Sequence, residues 1–136
     1  GSRTKDNSSV SIGSDITNDL DIWRKTKKEL KYRFGQPILG IIGYDTMSRM
    51  YGDSCVEPII GTTLPETRQL GDLMISIVTN DLEIKKHILG VSDYYFRLKL
   101  IKGIPVFWGV KPKTAPYALS LVNDEGCPVT NLNRVA

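Results

Sequence analysis

The chain has 136 residues, 40% hydrophobic and 24% charged. That is the balance of one ordinary globular domain burying about two-thirds of its unfolded surface. A net charge of +3 and a pI near 8.9 permit an anionic partner without demanding one. The longest apolar runs, such as residues 38–42, are too short to span a bilayer, and no secretory n-region, h-region and cleavage pattern is present.

In chain order, Gly1-Ser2 reads as a cloning scar, and residues 1–15, rich in Ser, Gly and charge, are expected to form a disordered arm. A helix follows. Asn18 is its expected N-cap, Asp19 and Asp21 sit in its first turn, and Gly35 is its stop. Ile16, Leu20, Trp23, Leu30 and Phe34 make one apolar stripe at helical spacing, with Lys27 in the gap. Residues 37–42 and 73–78 read as strands, and 45–54 and 61–72 as turn-rich segments in which Pro65 opens a single helical turn. Asn80 and Glu83 form a capping-box-like start to a short helix at 81–89, stopped by Gly90.

The strongest hairpin signal comes next. Phe96, Leu98 and Leu100 alternate with Tyr95, Arg97 and Lys99, Lys102-Gly103 is a two-residue turn, and 104–110 returns. Pro105 and Gly109 place that returning strand at an edge or a bulge. A further strand is expected at 117–122 and an irregular tail after Asn123. The expected fold is α+β: one N-terminal amphipathic helix and a short second helix packed on a mainly antiparallel sheet, forming a single compact domain over 16–136.

Catalytic and metal chemistry find little to work with. His87 is the one histidine, and it neighbours Lys85 and Lys86 on the short helix. A Cys55–His87 dyad is one candidate nucleophilic pair, and Asp45, Asp53 and Glu57 form one candidate carboxylate cluster. Either would make the chain a small hydrolase-type enzyme. Cys55, His87 and Cys127 match no zinc spacing, and the glycines at 35, 40 and 43 match no phosphate-binding loop. No cofactor and no metal are expected. The two cysteines read as buried free thiols in a reducing compartment.

Charge is sorted more sharply than it is balanced. Residues 22–34 hold six cations against Glu29 alone, a net +5, and residues 94–123 hold five cations and no acid. The segment 34–93 between them carries eight acids against four cations, a net −4. Segregation of this kind points to an anionic partner. The candidate contacts are Arg24, Lys25, Lys28 and Lys31 on the helix, and Arg97, Lys99, Lys102, Lys111 and Lys113 on the hairpin block. Trp23, Phe34, Tyr95, Phe107 and Trp108 are their apolar or aromatic anchors, since aromatics interleaved with cations can stack bases while the cations hold phosphates.

With those segments set out, the chain is similar in organisation to viral matrix proteins, which join a polar arm, a basic membrane-facing element and a compact α+β domain that self-associates. The likeness is of layout and carries over no residue. Residues 112–119 look like a mixture of two viral budding motifs and match neither. The expected function is a non-enzymatic structural or binding module, matrix-like or nucleocapsid-like. It would contact itself and an anionic membrane or nucleic acid, with a host or viral protein as a further partner, in the cytoplasm, at a membrane or in a virion. A protein–protein adaptor with no anionic partner is the rival reading.

Overall fold

The computed structural model describes residues 15–79 and 81–135, so residues 1–14 of the arm expected over 1–15, and Asn80, lie outside the described residues. Among the described residues, four helices and six strands make the fold mixed α+β. The chain divides after Val91 into two compact units, each with its own sheet; the sequence reading expects one domain over 16–136.

The first unit opens with α1, Ile16–Phe34. Its cap is Asp15 rather than Asn18: the Asp15 carboxylate accepts the Thr17 N–H at 3.0 Å, three residues earlier than expected. Gly35 ends it in the left-handed region at φ 60, its N–H returning to Lys31 O. Two short strands, β1 (Leu39–Gly43) and β2 (Leu73–Ile77), pair in parallel, Leu39 opposite Leu73 and Gly43 opposite Ile77. A parallel pair needs a long crossover, supplied here by α2 (Tyr44–Tyr51) and α3 (Asp53–Gln69).

Those two helices correct the turn-rich expectation for 45–54 and 61–72. Gly52, Pro58, Gly61 and Pro65 read as punctuation, yet Val56, Ile59, Ile60, Thr63 and Thr67 recur at helical spacing and are all buried. Both prolines lie inside α3 and each withholds one helical N–H. The Thr62 hydroxyl donates to the Pro58 and Ile59 carbonyls and the Thr67 hydroxyl to Thr63 O, so these threonines bond back within the helix. Packing of the buried stripe overrides local propensity. Tyr44, Val56, Ile60, Ile84 and Ile88 form the core, the last from α4 (Lys85–Val91). That helix starts later than the expected 81–89 and contains Gly90 instead of stopping there.

The parallel ladder has one clothed face. Gly40 is buried there, and a Cβ added to it would press on the Met74 side-chain end and lie 3.6 Å from the Trp23 ring. The other face leaves Leu39, Ile41, Leu73, Ile75 and Ile77 exposed.

The second unit is a four-stranded antiparallel meander in the order β3 (Tyr95–Ile101), β4 (Ile104–Lys111), β5 (Tyr117–Asp124) and β6 (Cys127–Arg134). The β3–β4 turn is the expected Lys102-Gly103, both residues at positive φ as a primed two-residue turn requires. A second such turn, Glu125-Gly126, joins β5 to β6. The tail expected to be irregular is therefore a strand. β4 lies inside the sheet rather than at its edge, although it pairs with β5 only at Val106 and Phe107, just past Pro105. The expected bulge is present opposite Gly109, where the β3 register slips between Tyr95 and Phe96. Both cysteines are exposed, correcting the expectation of buried thiols.

Candidate functional site

A groove of about 510 Å³ runs along α1 beside α3. Arg24, Lys27, Lys28 and Lys31 line it with Trp23 and Tyr32, and Glu66, Thr63 and Leu70 complete its wall. The helical repeat explains the gathering: residues four apart share a face and step about 6 Å along the axis. Arg24, Lys28 and Tyr32 make one row, and Lys27 and Lys31 make another beside it.

The second row is anchored. Lys31 Nζ donates to Leu70 O at 2.8 Å and to Asp72 Oδ1 at 2.9 Å. Lys27 Nζ stands 3.4 Å from Asp72 Oδ2, with the Asp72 side chain only 1% exposed. The Ile38 backbone N–H also donates to Asp72 Oδ1 at 2.9 Å. That hydrogen bond, opposed by burial and reinforced by the two ammonium groups, holds the Asp72 carboxyl down at about 2. The cluster ties α1 to the turn before β2. A second tie is the Tyr51 hydroxyl, which donates to Asp19 on α1 and is pushed up to about 12 by that carboxylate.

Three of the four expected helix contacts, Arg24, Lys28 and Lys31, thus line one groove with the anchor Trp23. Lys25 is exposed on α1 and does not line it. Phe34 is exposed at the end of α1 under the Arg33 guanidinium, 5.5 Å from its ring centroid. The sequence reading passed over Lys27, Tyr32 and Glu66 as site residues. A signal for Lys27 existed, since a lysine in the gap of an apolar stripe must point its stem into packing.

In the second unit the register confirms the alternation in β3 and divides the aromatics between two faces. Tyr95, Arg97 and Lys99 share a face with Trp108, which lies opposite Arg97. Arg97 Nε donates to the Tyr95 hydroxyl at 2.7 Å, with its guanidinium 5.7 Å from that ring's centroid. Phe107 is on the other face, stacked on Phe96 at 4.9 Å. Lys102 occupies the turn, Lys111 Nζ donates to Ser92 O at 2.7 Å, and Lys113 bridges to Val110.

The candidate catalytic groups make the following contacts. Asp45 accepts the Thr79 N–H and hydroxyl, at 3.2 and 2.5 Å. Glu57 meets His87 instead, at 3.1 Å, both half-exposed beside a shallow depression that Ser54 also lines. Cys55 does not line it. Among the described residues no three His, Cys, Asp or Glu side chains gather as a metal site, and no helix is long and apolar enough to cross a membrane. No family model and no curated protein matches the chain.

Proposed function

We propose that the chain is a non-enzymatic structural or binding module, matrix-like or nucleocapsid-like, that self-associates and contacts an anionic surface of membrane lipid or nucleic acid. The observation that carries the reading is the α1 groove, where four cations and two aromatic rings meet one groove-lining acid, Glu66. Cations over an aromatic-lined concavity attract phosphate and give apolar or ring contacts somewhere to rest. The Tyr95–Arg97–Lys99–Trp108 face of the second unit supplies a further basic and aromatic surface.

Self-association is supported by the open face of the β1–β2 ladder. Parallel strands are normally covered on both sides, and Leu39, Ile41, Leu73, Ile75 and Ile77 form an apolar face without a charge among them. The test of the anionic reading is binding of the Arg24→Glu/Lys28→Glu variant to anionic vesicles and to DNA. Both positions are exposed, so the fold should survive the change. Binding weakened to both, or to whichever the wild type prefers, supports the groove. Wild type that binds neither partner, or a variant that binds like wild type, defeats it.

A further inference from the structure

The groove contains a cation that its own fold meets with a single long ion pair. The Lys27 side chain is nine-tenths buried, and an ammonium carries three N–H donors. Among the described residues its one partner is Asp72 Oδ2 at 3.4 Å, and that oxygen has no hydrogen-bond partner. Lys31, one turn along, satisfies itself on Leu70 O and Asp72 Oδ1. The 3.4 Å ion pair leaves N–H donors of Lys27 free for a further acceptor. Lys27 lines the groove, so an acceptor entering there can reach it.

We propose that Lys27 is the floor of a site for a single phosphomonoester group, with Arg24 and Lys28 closing over it from the rim. The inference rests on the anionic reading of the groove and narrows it from a diffuse surface to one ligand class. Charge selects the ligand. Arg24, Lys27, Lys28 and Lys31 stand against Asp72 and Glu66, a surplus of two positive charges. A phosphomonoester brings about −1.5 to −2 at neutral pH and three strong acceptor oxygens, enough for the Lys27 ammonium and two rim cations at once. A carboxylate or a phosphodiester brings one charge and leaves the surplus half met. Arg24 offers a planar fork for two of the oxygens, and Lys28 a movable point charge. Trp23, Tyr32 and Leu70 line the groove for whatever the phosphate is attached to.

The first test titrates inorganic phosphate into the full chain carrying Trp108→Phe, so that Trp23 is the one indole reporting. Expected is a saturable change that Lys27→Met weakens by about tenfold or more, the loss of one charge-assisted hydrogen bond. Lys28→Met, at an exposed rim position, serves as the second variant: it should weaken binding while leaving the unfolding temperature unchanged, whatever Lys27→Met does to folding. Two further arms separate the sources of the phosphate. One compares vesicles bearing a phosphomonoester headgroup with phosphatidylserine vesicles of equal charge. The other compares a 5′-phosphorylated oligonucleotide with its 5′-hydroxyl form. Preference for the monoester in either arm supports the site. A folded Lys27→Met or Lys28→Met that binds phosphate like wild type overturns it. Wild type that binds phosphatidylserine or DNA but not phosphate overturns the site and leaves the anionic reading standing, whereas binding to none of them ends both.

Discussion

At Asp72 a carboxylate with 1% of its side chain exposed meets the Ile38 N–H and the ammonium groups of Lys31 and Lys27. Its ionised form holds α1 against the turn that leads into β2. The folded carboxyl titrates at about 2 and the ordinary group at 3.8. Its contribution is therefore complete above the higher value and is lost as pH falls through the lower one. The shift corresponds to about 2 kcal/mol. Asp72→Asn should cost about 2–4 kcal/mol at neutral pH, because it also leaves the buried Lys27 uncompensated. In urea unfolding followed over pH, the gap between wild type and variant should close between about pH 4 and pH 2; a gap that stays constant contradicts the assignment. The Asp72 half of this cluster was not legible in the sequence. Asp72 is one acid among eight in an acidic segment, and Lys27 looked like an interruption of an apolar stripe.

Among the elements, those with strong local chemistry were read correctly and those held by packing were not. Gly35 at the end of α1 and Gly103 between β3 and β4 adopt positive φ, and glycine announces it. The helix α3 was hidden by two prolines and a glycine, although its buried stripe was visible at three- and four-residue spacing. The strand β6 had no such stripe: every residue in it is exposed, and Pro128, Asn131 and Asn133 are poor strand formers. The basic half of the groove was legible as charge on α1, whereas the wall from Thr63, Glu66 and Leu70 depends on a helix the sequence reading missed. Gly109 shows how tightly one element constrains another. Its N–H donates to the Thr114 hydroxyl and its carbonyl accepts the Thr114 N–H. A methyl group there would press on the Pro112 carbonyl and lie 2.8 Å from the Thr114 methyl. Gly109→Ala should destabilise the second unit by about 1–3 kcal/mol, the range for overpacking, read as an earlier urea transition in Trp108 fluorescence. An unchanged midpoint would mean that the 112–114 segment yields freely.

For the whole molecule, we propose an anion-binding groove together with a face that packs against copies of the chain. The uncharged ladder face of Leu39, Ile41, Leu73, Ile75 and Ile77 predicts a mass that rises with protein concentration in sedimentation, and Ile75→Lys should lower it by placing a charge where a neighbour packs. A wild type that stays monomeric at high concentration contradicts that half of the reading. The groove is tested most directly by the salt dependence of binding to its preferred anionic partner, measured for wild type and for Arg24→Glu/Lys28→Glu. Each phosphate contact steepens the plot of log affinity against log salt by about 0.9 on duplex DNA. The account predicts a variant of unchanged unfolding temperature, weaker affinity and a slope shallower by about two contacts. A variant that keeps the wild-type affinity and slope, or a wild type with no salt-sensitive binding, would contradict it.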